Sequence, residues 1–282
     1  MKKAITILVF LCCTTSLMCN NITYTTADSI KICKILSQLS KSKEKKTATI
    51  MVAAAKLLAG TPYVAGTLDK DKVEKIVVNI GEVDCTTFVE QAFAIARTIS
   101  QDKKDFNSFC NNLLNIRYQK GKCDGYESRL HYFSQFVADG EEKGILHEVK
   151  NKQFTGKQNL NLSFMSNNPA NYPRLQTDSV LIAAIAEREK PFRNITINYL
   201  PKELQNKTSR QIPIKDGDII ALVTNINGLD VTHMGIAMWK GKRLHLIHAS
   251  YKHKKVILDE QSLFDYLKVH KSAPGIRVVR VK

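Results

Sequence analysis

The chain has 282 residues, of which 44% are hydrophobic and 24% charged, so it can bury the core of a globular protein. This composition excludes an intrinsically disordered chain, and the sequence has no internal repeat. The formal net charge of +16 indicates a strongly basic surface.

The N-terminus has the pattern of a secretory signal. Lys2 and Lys3 precede an apolar stretch of 15 residues, 4–18, which is too short to span a membrane. We predict a signal peptide at residues 1–19 and export to the periplasm or envelope. Lipidation of Cys19 is an alternative that we do not favour, because Met18 stands where a lipoprotein signal has a small residue. Export argues against nucleic acid as the partner of this basic chain.

Helical spacing of apolar residues predicts a series of helices in the first two thirds of the chain. They are predicted at about 28–40, 48–59, 85–100, 105–118, 127–142 and 176–189. Residues 20–46 should form the first helix and a polar linker that ends in the lysine-rich run 41–46. The stretches 150–175 and 190–215 are polar and are predicted to be loop insertions.

Short apolar runs predict strands in the last third of the chain, at 218–224, 231–239, 244–250, 255–258 and 276–281. Helices followed by strands indicate an α+β fold, with N-terminal helices packed on a C-terminal antiparallel sheet.

A cysteine lies at the predicted start of the helix at 85–100. Asp84 is a good N-cap residue, and the apolar residues between Phe88 and Ile99 recur at helical spacing. Cys85 should therefore lie where free N–H groups and the positive end of the helix dipole favour a thiolate, the nucleophilic form. The alternative is a small buried residue that only packs in the core.

Two neighbouring predicted strands carry histidines. His233 lies on the first strand of a predicted hairpin, and His245 and His248 lie on the second. Each histidine alone could be structural. After a cysteine at a helix start, however, this order is that of a nucleophile followed by its base and the residue that orients the base. Because residues 245 and 248 face opposite sides of a strand, only one of them can reach His233.

The other cysteines point to neither a disulfide framework nor a metal site. Cys33, Cys85, Cys110 and Cys123 follow the predicted signal, and a bridge between Cys110 and Cys123 is an open alternative. The sequence has no CxxC pair, so we expect no metal and no cofactor.

Six ordered segments resemble one known family. They are GTPYVAGTL at 60–68, DCTTFVE at 84–90, SRLHYF at 128–133, GDII at 217–220, HMGIA at 233–237 and LHLIHAS at 244–250. The family is the N-acetylmuramoyl-L-alanine amidase-like family, formerly a domain of unknown function, within the NlpC-type, papain-like cysteine hydrolases of bacterial cell walls. The resemblance covers residues 47–282, which we expect to be one cysteine amidase domain with a papain-like fold.

The resemblance implies hydrolysis of the amide between N-acetylmuramic acid and L-alanine in peptidoglycan fragments, with a preference for the 1,6-anhydro sugar. It implies Cys85, His233 and His248 as catalytic residues. It also implies Tyr63 as an oxyanion donor, and Arg129 and His131 as substrate-binding residues on the helix predicted at 127–142. From the residues alone, Tyr63, Arg129 and His131 could equally be ordinary buried side chains.

Two other functions stay open at this point. One is a relative that cleaves the peptide between D-glutamate and the diamino acid, with the same three catalytic residues. The other is a protein that binds cell-wall fragments without cutting them. We expect muropeptides as the partner, with peripheral or lipid-anchored membrane association as an alternative, and a monomer.

Overall fold

The computed structural model describes residues 22–208 and 211–282. The predicted signal peptide at 1–19, with Cys19, lies outside the described residues. None of the helices in the described ranges is long and apolar enough to cross a membrane.

The described chain is a mixture of helices and strands. The helices are α1 (Thr26–Leu39), α2 (Thr47–Leu57), α3 (Cys85–Ser100), α4 (Phe106–Arg117), α5 (Phe133–Glu142), α6 (Phe164–Asn167), α7 (Ser179–Glu189) and α8 (Leu263–Val269). The strands are β1 (Ile22–Thr23), β2 (Ile76–Val77), β3 (Leu146–Glu148), β4 (Gly156–Asn161), β5 (Arg193–Pro201), β6 (Ile219–Val223), β7 (Val231–Lys240), β8 (Arg243–Ser250), β9 (Lys255–Leu258) and β10 (Gly275–Val281). Of these strands, β1 and β2 form a small parallel pair and the others form one antiparallel sheet.

Helix α3 lies at the centre of the main core. Phe88, Val89, Ala92 and Phe93 are fully buried there, because α1, α2 and α4 pack around α3 and the sheet covers its remaining side. Helix α1 contributes buried side chains such as Leu36 to the same core. Apolar side chains thus surround nearly the whole of α3, and this fixes the position of its N-terminus relative to the sheet.

The large sheet has the strand order β4-β5-β10-β6-β7-β8-β9, with β3 paired to the end of β10. Its strand pairs are antiparallel. Alternate residues face opposite sides: Ile236 and Ile247 enter the main core, whereas Ala237 and Leu246 enter a second cluster that α8 covers. The side chains that α8 covers include those of two histidines described below.

The motif GDII at the start of β6 is held by structural contacts. Asp218 is fully buried, and its carboxylate accepts hydrogen bonds from Arg280 at 2.7 and 2.8 Å. Gly217 has a φ of 82°, and a Cβ there would lie 2.3 Å from the carbonyl oxygen of Ala48. This close approach lets α2 pack directly against the beginning of the strand.

The predicted α+β fold is confirmed, and several elements differ from the sequence prediction. The helix predicted at 127–142 begins only at Phe133; a 3-10 turn at Tyr126–Ser128 precedes it, and the backbone of Arg129 is extended and forms a bridge with Tyr118. The predicted loops at 150–175 and 190–215 contain β4, α6 and β5. Cys110 carries a free thiol, so the bridge that was left open does not form.

Candidate active site

Cys85 is the first residue of α3, and the residue before it, Asp84, caps the N-terminus of the helix. Asp84 accepts the backbone N–H of Thr87 at 2.8 Å, and the Thr87 hydroxyl accepts the N–H of Asp84 at 2.9 Å. This reciprocal cap satisfies two backbone donors and fixes the direction in which the chain enters the helix. The half-buried Cys85 side chain consequently emerges at the first turn, as predicted.

The thiol of Cys85 is neutral at rest, which differs from the thiolate that the helix end alone predicts. Burial, together with the nearby Asp84 carboxylate, raises its pKa to about 11. Hydrogen bonds from the N–H groups of Met234 and Thr86 and from the Thr86 hydroxyl lower the pKa, but they do not offset the loss of solvation. Formation of a thiolate therefore needs a base that accepts the proton.

His233 on β7 is bonded to His248 on β8. The distance between Nε2 of His233 and Nδ1 of His248 is 2.7 Å, and the two ring planes lie 82° apart. The register pairs Ile236 with Ile247, so Gly235 stands opposite His248, and His233 is its diagonal neighbour on the same face. A Cβ on Gly235 would lie 2.9 Å from the Cβ of His248, so the absence of a side chain there permits this contact.

His233 is a neutral imidazole at neutral pH. Burial, together with the proximity of His248 and His270, lowers its pKa to about 3. A neutral ring can accept a proton from the thiol. His233 and Cys85 line one pocket, and Met234, the residue after His233, donates its backbone N–H to the sulfur.

His248 is bonded on its other side to Asp259, the residue after β9. Nε2 of His248 lies 3.3 Å from Oδ2 of Asp259, and His248 is almost fully buried. His245 faces the opposite side of β8, where its Nδ1 bonds to the backbone carbonyl of Asp259 at 3.0 Å. Of the two later histidines, His248 is therefore the one that reaches His233.

Helix α8 was missed by sequence reasoning, and its Tyr266 covers the histidine pair. The Tyr266 ring centroid lies 6.4 Å from that of His233, 5.6 Å from that of His248 and 4.0 Å from that of His270. The sequence could have predicted this helix, because Ser262 is an N-cap residue that precedes apolar side chains at helical spacing. The tyrosine ring thus packs against both imidazoles.

Tyr63 lies in the loop after α2, which is fastened to two neighbouring segments. Its N–H donates to the carbonyl of Lys254 at 2.9 Å, and its backbone also pairs with Val83, just before Cys85. Burial, together with the nearby Cys85, raises the pKa of Tyr63 to about 12. The phenol therefore keeps its proton at neutral pH. The exposed Tyr251, which was not predicted as part of the site, packs edge-on against Tyr63, with the two ring centroids 5.6 Å apart.

Arg129 is engaged by carboxylates of the protein itself. Its guanidinium is buried and donates to both oxygens of Glu74 at 2.8 and 2.9 Å and to Asp69 at 2.8 Å. Arg174 lies near the same Glu74. The structure thus gives Arg129 a role in fastening the loop at 68–74, and its Nε, Nη1 and Nη2 atoms all have acceptors within the protein.

A pocket of about 110 Å³ lies beside Cys85. It is lined by Cys85, Thr86, Glu90, Leu130, His131, Tyr132, Phe133, Phe136, Leu229, Asp230, Val231, Thr232, His233 and Met234. His131 thus faces the same pocket as the thiol, whereas Tyr63 and Arg129 do not line it. Nε2 of His131 bonds to the carbonyl of Tyr126 at 2.8 Å, and burial lowers the pKa of His131 to about 3.

Within residues 22–208 and 211–282, no cluster of His, Cys, Asp or Glu is arranged to hold a metal ion.

Comparisons with known proteins show the family to which the chain belongs. Residues 53–276 match the sequence profile of the AmiA-like, N-acetylmuramoyl-L-alanine amidase-like family. A crystal structure of an N-acetylmuramoyl-L-alanine amidase from Bacteroides uniformis is 39% identical, with a TM-score of 0.78 over 84% of this chain and 99% of that one. A Bacteroides fragilis protein that carries the provisional name of a xylanase is 43% identical, with a TM-score of 0.76 over 82% and 100% of the two chains.

A more distant structure, protein LPG0564 from Legionella pneumophila, is 22% identical with a TM-score of 0.67, over 90% of this chain and 94% of that one, and shares the fold. A search of curated proteins found no match.

Proposed function

The chain belongs to the N-acetylmuramoyl-L-alanine amidase-like family, and on that premise we propose that it hydrolyses the amide between N-acetylmuramic acid and L-alanine in peptidoglycan fragments. The observation that carries the proposal is a pocket lined by both a helix-start thiol and a neutral imidazole, with a second imidazole bonded to the first at 2.7 Å. This set of groups suits acyl transfer through a covalent thioester. We also propose that the fold is a papain-like, NlpC-type cysteine hydrolase.

In the first half of the reaction, His233 removes the proton from the Cys85 thiol as the sulfur attacks the lactyl carbonyl carbon. A C–S bond forms, and the carbonyl oxygen takes negative charge. The imidazolium of His233 then gives its proton to the amide nitrogen, and the C–N bond breaks. The L-alanyl peptide leaves as an amine, and the muramyl group remains on sulfur as a thioester.

In the second half, His233 takes a proton from water as the water oxygen attacks the thioester carbonyl. The C–S bond breaks, the proton returns to sulfur, and the muramic acid leaves with a free carboxylate. His248 keeps the His233 ring in place through both halves, which is the task of the third residue in other nucleophile-base systems.

The charge on the carbonyl oxygen needs hydrogen-bond donors. The backbone N–H of Cys85 lies in the first turn of α3, where such groups lack an intrahelical acceptor. We propose it as one donor and the hydroxyl of Tyr63 as the second, because the raised pKa of Tyr63 keeps its proton available. His131 on the wall of the pocket is our candidate for a contact to the substrate, and Arg129 acts through the loop that it fastens.

The provisional xylanase name of one relative suggests a different chemistry, which this pocket does not favour. Glycoside hydrolysis uses a pair of carboxyl groups. The two carboxylate residues on the pocket wall are Glu90, which is bonded to Arg117 at 2.7 Å, and Asp230, which accepts the N–H groups of Val231 and Ser134. Both already have partners in the protein.

The bond that is cut can be identified by incubating the protein with a muramyl tetrapeptide and analysing the products by mass spectrometry. Release of the intact L-alanyl peptide supports the amidase. Release of an L-alanyl-D-glutamate dipeptide would instead show that the protein is the peptide-cleaving enzyme. Binding of the muramyl tetrapeptide without cleavage would show that it is the non-catalytic binding protein. A parallel pair of substrates, with 1,6-anhydro and with reducing muramic acid, tests the proposed preference for the anhydro sugar.

We further propose that the enzyme is exported to the periplasm or envelope, where such fragments arise, and acts as a monomer. The basic surface would meet the carboxylates of cell-wall peptides or anionic lipids there. Fractionation of cells that express the tagged full chain tests the location. Recovery in the cytoplasm with residues 1–19 intact would contradict it.

A further inference from the structure

Three polar side chains run diagonally across neighbouring strands behind the thiol. His233 on β7 contacts His248 on β8, and His248 contacts Asp259 at the end of β9. The register explains the third position: Ile247 pairs with Leu258, so Asp259 stands opposite Leu246 on the same face as His248. We infer that Asp259 is a positioning residue of this site and that its carboxylate fixes the tautomers of both histidine rings. The inference rests on the proposed function and deepens it.

The two carboxylate oxygens of Asp259 have different partners. Oδ1 accepts the backbone N–H of Gln261 at 2.9 Å, which shapes the turn after β9, and Oδ2 faces His248. Burial acts to raise the pKa of Asp259, but the bonds to His248 and Gln261 outweigh it and hold the pKa below its usual range. The carboxylate is therefore ionised at neutral pH and can only accept hydrogen bonds.

An accepting carboxylate determines where the ring protons lie. Nε2 of His248 has to carry a proton in order to donate to Asp259, so in a ring with a single proton Nδ1 is left as an acceptor. Nε2 of His233 then has to donate to that Nδ1. The remaining nitrogen of His233, Nδ1, keeps its lone pair and is the basic atom of the site. Without the carboxylate, both rings could take the reverse tautomers and the basic nitrogen would be lost.

The same chain of bonds supports the charged state. When His233 takes the proton of Cys85, its positive charge is adjacent to the His248 ring, whose far side faces a negative carboxylate. Burial of the histidine pair disfavours the charged form of His233, because the imidazolium loses contact with water. The negative charge of the Asp259 carboxylate offsets part of that free-energy cost. Asp259 therefore favours proton transfer from sulfur without touching the substrate.

The test measures the thiol and not the cleaved bond. We would determine the rate of alkylation of Cys85 by iodoacetamide against pH in the full chain, for the wild type, Asp259→Asn and Glu260→Gln. Asparagine keeps the size of Asp259 and an oxygen for Gln261, and Glu260 is an exposed neighbour that carries the same charge. The other titratable groups around the rings and the thiol stay unchanged in each variant: Tyr63, Asp84, Glu90, His131, Asp230, His245, His253, Tyr266 and His270.

In Asp259→Asn, the midpoint of the alkylation profile should move up by about one pH unit, and kcat should fall about tenfold with little change in KM. Glu260→Gln should match the wild type. Partial unfolding would expose the thiol and move the midpoint down instead, toward the ordinary value for cysteine of about 8.5. An unchanged or lowered midpoint in Asp259→Asn, or an equal rise in Glu260→Gln, would overturn the inference. If the enzyme cuts another bond, the proposed function fails, but the alkylation shift still decides the role of Asp259.

Discussion

Gly235 offers the sharpest perturbation of the site, because an added methyl group would act directly on the histidine pair. In Gly235→Ala, the new Cβ would lie 2.9 Å from the Cβ of His248 and 3.0 Å from the carbonyl oxygen of Ile247. Carbon atoms pack best at about 3.5 Å or more, so β7 and β8 would have to separate locally by about 0.5 Å. The neighbouring backbone atoms belong to a paired strand and cannot simply rotate away.

This displacement should weaken the bond between His233 and His248. The bond is 2.7 Å long, and a shift of about 0.5 Å would bring it to the outer limit of a good hydrogen bond. Because a 1 Å error in the position of a catalytic group can cost about a hundredfold in rate, we expect kcat to fall about tenfold. Overpacking should also lower the free energy of unfolding by about 1–3 kcal/mol.

The assay combines hydrolysis of a muramyl peptide with urea unfolding followed by circular dichroism, so that kcat refers to folded protein. Gly81→Ala is the matched control. A Cβ at Gly81 would meet its nearest neighbour, Oδ1 of Asn79, at an ordinary 3.6 Å. Wild-type kcat in folded Gly235→Ala would refute the idea that the His233 and His248 contact depends on this glycine.

Three further predictions concern the base, the thiol and a buried ion pair. His233→Ala should abolish turnover as fully as loss of the nucleophile, whereas His248→Ala should leave measurable turnover, because an orienting group costs less than the base; equal kcat values would contradict this order. Alkylation of wild-type Cys85 should accelerate with rising pH toward its pKa of about 11, and a plateau already at neutral pH would instead show a resting thiolate. Glu74→Gln should lower the free energy of unfolding by about 3–5 kcal/mol, because it leaves the buried Arg129 short of a charged partner; urea titration checks this, and a change below about 1 kcal/mol would contradict it.

The helices and strands near the site could be predicted because local patterns specify them. The capped start of α3 at Cys85 and the hairpin strands β7 and β8 follow from an N-cap residue, helical spacing and short apolar runs. The ribbon of β4 and β5 could not be predicted in this way. In β4 only Leu160 is buried, so the strand has no alternating apolar pattern, and its pairing with β5 is the cause of its structure.

The partners of charged side chains were equally beyond local patterns. Arg129 has a fork of hydrogen-bond donors, and the resemblance implied that it binds the substrate. In the structure the acceptors are Glu74 and Asp69, which lie 55 and 60 residues earlier in the chain. Asp259 was missed for the same reason, since its contact with His248 depends on the register between β8 and β9.

The neutral resting thiol suits an enzyme that works outside the cytoplasm, which we propose this one does. Oxidation of cysteine follows thiolate character and exposure, so a standing thiolate would be vulnerable in an oxidising compartment. In the mechanism that we propose, the half-buried Cys85 holds its proton until His233 removes it. The proposal makes the basicity of His233 depend on His248 and Asp259 behind it, so the strands that hold these residues in register would determine when the sulfur becomes reactive. Desolvation would then protect the thiol, and a hydrogen-bonded chain that keeps one nitrogen of His233 free to accept its proton would make it reactive.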